Sequence, residues 1–423
     1  MTNRKINRKL IIYYIGKADT LMSTEKEITT LPVAPLKLIV MESCKELGSR
    51  VNDYIVQFRN EAHNEHKDGI EFKGYLEDSY IVGSKCPRFG SGEAKGQILD
   101  SVRGTDLYIL TDVCNHSITY NVFGHTNYMS PDNHFQDLKR IIAAAGSHCK
   151  RITVIMPFLY ESRQHKRSKL ESLDAALALQ ELTKMGVSNI ITFDAHDPRV
   201  NNSIPLRGFD NFQPPYQFIK AITKKFNDIT IDKEHLMIIS PDEGAMSRAV
   251  YFSNVLGVDL GMFYKRRDYA HVVNGKNPIV AHEFLGSDVT GMDVMVIDDM
   301  ISSGESILDT AASLKQRGCK RVFVCTTFGL FTDGMAKFDE YYNKGYISGV
   351  VTTNLTYISD NIKAKPYFIE ADMSKFLAKI IDALNHDKSI GNLMDPTERI
   401  HDLINKYNDE TRLEYEKERG INN

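Results

Sequence analysis

From Leu36 to about Leu384 the chain keeps switching between short apolar, β-branched runs and segments with helical periodicity. The runs are LKLIVM (36–41), DLYILTDV (106–113), RITVIMPF (151–158), NIITFDA (189–195), HLMIISP (235–241), LGMFYKRR (260–267), VMVIDD (294–299) and RVFVCTTF (321–328). Their apolar character is nearly continuous, so each strand must be covered on both faces, which is the condition of a buried parallel sheet. The intervening segments can supply that cover. Ser172 to Met185 carries Leu173, Ala176, Leu177 and Ala178, and Ile307, Leu308, Ala311 and Leu314 fall on one helical stripe. Strand then helix, repeated, predicts α/β layers built on mainly parallel sheets. The alternation is too long for one ordinary sheet, and 423 residues leave room for two or three cores. Two α/β domains are therefore expected, divided at the Pro-rich turn NFQPP (211–215). The scheme is an N-terminal extension over 1–33, domains over 34–210 and 211–385, and a charged tail over 386–423 read as a solvated helix or frayed end.

Charge narrows the function classes. Lys plus Arg number 52 and Asp plus Glu 55, a net charge of −3, so no basic excess points to nucleic acid. The first residues, MTNRKINRKLIIYYIGKADT, have a basic start and one short apolar patch but no small-residue cleavage site. No segment approaches the roughly 18 apolar residues of a membrane helix. The six cysteines stand singly, without a Cys-x-x-Cys pair, which argues against a zinc or redox motif. A cytoplasmic protein with reduced thiols, no membrane and no nucleic-acid partner is expected.

The most informative stretch is VMVIDDMISSGES (294–306): an apolar strand, two carboxylates, a small-residue loop, then a helix. Backbone N–H groups of Ser302, Ser303, Gly304, Glu305 and Ser306 can turn toward a phosphate at the helix N-terminus. Asp298 and Asp299, at the C-terminal end of a strand, can accept from vicinal ribose hydroxyls, where ligands of open α/β sheets sit. The same residues admit a plainer reading, because Ser302-x-x-Glu305 fits a capping box. This stretch resembles the phosphoribosyl-pyrophosphate loop of type I phosphoribosyltransferase folds, and its Asp-Asp-Met-Ile variant resembles the ribose-phosphate pyrophosphokinase family. The family's loop usually reads Asp-Thr-Gly/Ala-Gly-Thr. Here Ser302 replaces an Asp, and Glu305 puts a carboxylate near a phosphate, tolerable if it turns back as a cap.

Further stretches follow in the family's order. PRFGSGEAKGQILDSVRGTDLYIL (87–110) resembles its nucleotide loop, which implies ATP contacts from Phe89, Ser91, Gly92 and Glu93, with Ser91 in place of the family's Asp. Without the resemblance it would read as a Gly-rich hairpin. MPFLYESRQHKRSKLES (156–172) resembles a segment that contacts ATP across a subunit boundary, implicating Arg163, Gln164 and His165, the last replacing an Asp. Alone it is also what a solvated basic loop looks like. ITFDAHDP (191–198) and ISPDEGAMSRA (239–249) resemble the family's magnesium–ATP positions, implying His196 and Asp242 as metal ligands or near neighbours of the metal. Asp194 would share a face with His196 on an extended segment. MFYKRRDYA (262–270) resembles the family's Lys-Arg-Arg strand, with Lys265 and Arg267 on one side to stabilise transferring phosphoryl charge. The segment from Arg267 to Gly291, with VNGKNP, could form a flap over them.

The resemblance implies two type I phosphoribosyltransferase-like domains, each a mainly parallel sheet flanked by helices. It further implies Mg²⁺ as cofactor, ATP and ribose 5-phosphate as substrates, and a homo-oligomer, hexameric or built from dimers. Two alternatives stay open: a catalytically silent regulatory homologue, motivated by Ser91, His165, Ser302 and Glu305, and a phosphoribosyltransferase that consumes the same sugar phosphate.

Overall fold

The structure, a computed structural model, describes residues 31–65, 73–267 and 279–418, the side chains of residues 65, 265–267, 279–282 and 409–418 excepted. The segment 268–278, at the heart of the expected flap, lies outside the described residues, as does most of the N-terminal extension. In chain order the main elements are β1 (Leu36–Val40), α1 (Lys45–Glu65), β2 (Asp106–Leu110), α2 (Pro131–Ala145), β3 (Arg151–Ile155), α3 (Asp174–Lys184), β4 (Asn189–Phe193) and β5 (Gly208–Phe212). They continue through α4 (Pro215–Lys225), β6 (Leu236–Ser240), α5 (Met246–Leu256), β7 (Asp259–Arg267), β8 (Ile279–Leu285), β9 (Asp293–Ile301) and α6 (Glu305–Gln316). The last are β10 (Arg321–Gly329), α7 (Ala336–Asn343), β11 (Gly349–Thr353), β12 (Phe368–Ala371), α8 (Ser374–Asn385) and α9 (Thr397–Glu418).

The five strands β1 to β5 form one parallel sheet in chain order. The second sheet has the order β8-β7-β6-β9-β10-β11-β12 and is parallel except for β8, which pairs antiparallel at the edge. Each apolar run of the sequence therefore contains a strand, and most are buried as double-sided cover requires, β7 near the sheet edge being the exception with Tyr264 exposed. The mixed α/β architecture of parallel sheets flanked by helices is the one expected. The expected divide at 211 falls inside β5, the last strand of the first sheet, which runs to Phe212; only Gln213 and Pro214 join it to α4, which lies against β11 and β12 of the second sheet.

Matching strands carry matching ion pairs. Arg151 at the start of β3 clamps Asp106 at the start of β2 (2.7 Å), and Arg321 at the start of β10 clamps Asp293 at the start of β9 (2.6 Å). Both carboxylates are almost fully buried. Registers counted from these pairs equate β1, β2, β3 and β4 with β6, β9, β10 and β11. The two halves are thus one architecture used twice, a relation that the residue pattern hides.

Chain order and packing part company at the C-terminus. Helix α8 falls in the second half by sequence, but Phe376, Leu377, Ile380 and Ile381 belong to the core of the first sheet. Fully buried Arg59 of α1 holds it there, donating to Asp382 (3.1 Å), to Asn385 (2.6 Å) and to the Tyr75 carbonyl (3.3 Å). The charged tail is likewise no frayed end over its described part. Ile400 and Ile404 of α9 are buried in the core shared with α4 and α5.

The C-terminal ends of the two sheets' strands face each other. Phe158 after β3 meets Phe328 in β10 with ring centroids 5.0 Å apart. Asp112 after β2 accepts from the Tyr357 N–H after β11 (2.7 Å). Burial pushes the Asp112 carboxyl up to about 7. Above the ordinary carboxylate value the unfolded chain releases this proton while the folded chain still holds it, so stability falls as pH rises from about 4 to 7. The urea midpoint is expected to be lower at pH 8 than at pH 5.5, with the difference reduced in Asp112→Ala; an unchanged difference would assign the effect elsewhere.

Candidate active site

Three strand ends build the centre. The chain leaves β4 at Asp194, which adopts a φ of +43°, uncommon outside glycine. Its buried carboxylate accepts from Arg248 Nε (2.6 Å), Thr327 Oγ1 (2.6 Å) and Gln213 Nε2 (3.1 Å). The extended segment expected to put Asp194 and His196 on one face is broken by this turn, so the two side chains take separate partners. His196 reaches across the domain boundary, its Nδ1 2.6 Å from Asp299 Oδ2.

Asp298 and Asp299 lie near the end of β9, with Asp299 buried. Burial pushes the Asp298 carboxyl well up, and Asp299 and Asp242 push it further against the opposing Arg248 charge. Burial also acts upward on Asp299, but the His196 hydrogen bond and the Arg248 charge outweigh it and hold that carboxyl low. Arg248, in the first turn of α5, is the common counter-ion. Burial opposes its charge, but Asp194, Asp299 and Asp298 more than offset this. Sequence reasoning passed over Arg248, although it stood inside the segment 239–249; a basic residue six positions beyond an acidic strand end was the available signal. Asp242 accepts from the N–H groups of Gly244 (2.9 Å) and Ala245 (3.2 Å), which fixes the turn into α5.

The equivalent junction between β2 and β11 is instructive. By register Thr111 and Asp112 correspond to Asp298 and Asp299, and the same count carried past the strand ends matches Thr356 to His196 and Gly48 to Arg248. A side chain at Gly48 would overlap Val40, so an arginine has no room there. The duplicated fold therefore builds one charged centre and one largely neutral seam.

The loop after β9 is tied to the turn after β10, its Ile301 and Ser302 carbonyls accepting from Leu330 N (2.8 Å) and Thr332 N (3.0 Å). Helix α6 begins at Glu305, leaving its first N–H groups beside the loop without intrahelical partners. The expected capping box is absent. Gly304, at a φ of +82°, is the capping residue, no side chain caps, and Glu305 turns outward to Lys337 (3.3 Å). Ser302 Oγ lies 3.5 Å from Thr332 Oγ1, and Ser303 Oγ lies 3.5 Å from the Glu305 N–H. Glu305 thus avoids the loop, as the phosphate reading needs, by a surface ion pair instead of a cap. Gly304 has a second constraint: a Cβ there would overlap the Phe338 ring. Gly304→Val is expected to destabilise the protein by about 1–3 kcal/mol through overpacking and to displace the loop, read by thermal melting and by calorimetric ribose 5-phosphate binding. An unchanged melt would show that the loop relaxes freely.

The remaining sequence candidates divide. His165 joins the centre, its Nε2 3.4 Å from Asp197 Oδ2 and its ring 5.5 Å from that of His196. Gln164 closes its own loop, donating to the carbonyls of Ser172 (2.8 Å) and Lys166 (3.3 Å), while Arg163 is exposed. In the loop 89–93 the Ser91 hydroxyl donates to Glu93 (2.9 Å), Gly92 takes a φ of +92° against Val122, and Phe89 stands half exposed. The bonds described for this loop stay within it or reach the neighbouring ribbon Thr119–Tyr128; none reaches Asp299. The backbones of Lys265 and Arg267 continue β7 past the last β6 partner, Ser240↔Met262, at the same sheet end as Asp242. Between Arg266 and Arg267 the pairing shifts by one residue on the β8 side, from Ala281 to Ile279; the side chains of Lys265 and Arg267 lie outside the described part.

A hard divalent cation prefers oxygen donors and, for magnesium, few protein groups. The carboxylates of Asp242, Asp298 and Asp299, with Asp298 driven toward protonation by burial and by its acidic neighbours, fit such an ion. Among the described residues the one group with three convergent donors is Asp232, Glu234 and His235. It lies at the opposite end of β6, where Asp232 caps its own turn.

Two parallel α/β domains meeting at their strand ends, with an acid pair and a helix-capping loop, define a two-domain protein of the phosphoribosyltransferase fold type. Comparison with known proteins carries this further. The pattern of the N-terminal domain of ribose phosphate pyrophosphokinase matches residues 36–186, and that of the phosphoribosyl transferase domain matches residues 211–353. The ribose-phosphate pyrophosphokinase of Chromobacterium violaceum is 29% identical over 309 residues, covering 72% of this chain and 85% of that protein. That of Vibrio cholerae is 29% identical over 307 residues, covering 72% and 88%. The crystal structure of phosphoribosylpyrophosphate synthetase from Mycobacterium smegmatis shares the fold, with a TM-score of 0.64 over 83% of this chain and 99% of that one at 22% identity. The chain belongs to the ribose-phosphate pyrophosphokinase family. No helix among the described residues is long and apolar enough to cross a membrane.

Proposed function

We propose that this protein is a ribose-phosphate diphosphokinase. It would transfer the diphosphoryl group of Mg–ATP to the anomeric hydroxyl of ribose 5-phosphate, giving AMP and 5-phosphoribosyl 1-pyrophosphate. The supporting observation is the His196–Asp299 contact, which joins the first domain's candidate nucleotide side to the second domain's candidate sugar side. Asp298 and Asp299 accept from the ribose hydroxyls, and the 302–306 loop with the first turn of α6 receives the 5-phosphate. Asp242 and Asp298, with the free ring nitrogen of His196, would hold Mg²⁺, whose role is to neutralise charge on the phosphate chain. Lys265 and Arg267 carry the charge that develops on the transferring group, so rate comes from in-line positioning and electrostatics.

Phe89, Ser91, Gly92 and Glu93 would bind the adenine side of ATP, and Arg163 and Gln164 would contact ATP across a boundary with a second copy of the chain. A homo-oligomer follows from that reading. The outward turn of Glu305 favours an active site over a silent homologue.

Incubation with ATP, Mg²⁺ and ribose 5-phosphate is expected to yield AMP and phosphoribosyl pyrophosphate in equal amounts, with no product in excess chelator. Calorimetric binding of ribose 5-phosphate without AMP formation would instead establish a regulatory homologue.

A further inference from the structure

Helices α4, α8 and α9 enclose a groove of about 750 Å³. Its wall carries Lys220 and Lys224 from α4, Lys375 and Lys379 from α8, and Arg399 and Lys406 from α9. Spacings of four and seven residues put each pair on one helix face, so three helices bring cations to one space, with the Lys375 ammonium at its edge, over the Tyr54 and Phe58 rings of α1 (5.7 and 5.9 Å). The chain as a whole is slightly acidic, which makes this concentration a local feature of the fold.

Charge inside the groove is not balanced. Three carboxylates line it, but Glu370 is engaged by Arg50 (3.3 Å) and Asp372 accepts from Asn354 (2.8 Å) and the Ser374 N–H (2.8 Å). Asp402 has no described bond, and the groove's cations outnumber its carboxylates. Arg399 lies between two aromatic rings, 5.6 Å from the Tyr216 centroid and 5.7 Å from that of Phe376, and its Nε is buried without a hydrogen-bond partner. Burial pushes the Lys379 ammonium down, and Lys375, Arg399 and Lys220 push it further. Like charges gathered around a partly desolvated space repel unless an anion enters. The first turns of α4, α8 and α9 contribute Tyr216, Lys375 and Arg399, so the positive ends of three helices add to the field.

We infer that this groove is a second ligand site, separate from the candidate active site, for a compact polyphosphate anion such as a triphosphate chain. Its volume is that of a small-molecule pocket. Lysine point charges with one ring-held guanidinium suit phosphate oxygens, and Arg399 takes up the ring faces of Tyr216 and Phe376 that it meets.

Calorimetric titration of the full chain with inorganic tripolyphosphate tests this. Three proteins are compared: unmodified, Lys224→Glu/Lys379→Glu, and Lys265→Ala/Arg267→Ala. The groove variant is expected to weaken one binding event about tenfold or more, while the active-site variant retains that event. Lys224→Gln/Lys379→Gln, which removes charge without reversing it, should give a smaller loss in the same event. ATP binding to the groove as tightly as tripolyphosphate would assign recognition to the phosphate chain; much tighter ATP binding would overturn that assignment in favour of a nucleotide site. Unchanged affinity in both groove variants overturns the site. So does loss of all binding in the active-site variant. Displacement of tripolyphosphate by a long single-stranded RNA of higher affinity overturns the compact ligand.

Discussion

Truncating Arg248 to alanine is expected to cost about 3–5 kcal/mol of stability, the scale of breaking one half of a buried ion pair. Asp194 is almost fully buried at a strained φ, and its carboxylate depends on Arg248 at 2.6 Å for charge and on Thr327 and Gln213 for hydrogen bonds. Without the guanidinium a buried anion remains uncompensated. The same loss removes the counter-charge from Asp298 and Asp299, so both carboxyls titrate upward and the His196 contact across the domain boundary weakens. Urea unfolding would measure the first effect. Pairing Arg248→Met with Asp194→Asn should recover much of the stability, because it removes both charges together, but should leave the acid pair unpartnered and turnover low. A single variant within about 1 kcal/mol of the unmodified protein, as for an exposed ion pair, would mean that Arg248 is not the keystone described here.

Replacing Lys265 with alanine should reduce kcat roughly 100-fold or more while leaving ribose 5-phosphate affinity nearly intact, the pattern for a group whose charge is needed mainly in the transition state. Strand β7 carries Lys265 three residues past its last β6 partner, to the sheet end that holds Asp242, Asp298 and Asp299. Backbone pairing with His282 of β8 fixes its position there. Calorimetry and initial rates separate the two quantities. Normal turnover would remove Lys265 from the chemistry. Loss of ribose 5-phosphate binding with unchanged kcat would make it a binding group instead. Arg267 stands two residues further along β7, and Arg267→Ala alone tests whether the two act together.

Several expectations failed for reasons of geometry. A capping box at Ser302 and Glu305 needs an extended residue at its first position, but here Gly304 enters the helix from a left-handed conformation and leaves Glu305 to the surface. An extended strand exit was assumed at Asp194, and the carboxylate's three partners hold the chain in a turn instead. Helix α8 was assigned by its place in the chain, whereas Arg59 and the apolar face of α8 place it on the first sheet.

What the sequence determined by itself was local. Doubly apolar runs such as VMVIDD and RVFVCTTF can only be buried strands, and the acid pair followed by small residues marked the ligand end of one sheet, because periodicity and residue chemistry act over a few neighbours. The tertiary structure alone decided which strand ends face each other. It brought His196 to Asp299 across 103 residues and Arg248 to Asp194 across 54, and it revealed that Asp106–Arg151 and Asp293–Arg321 are the same pair used twice. Contacts at that separation are set by how two sheets pack, and the energy of a charge depends on what packing places around it. No pattern within one segment carries that information.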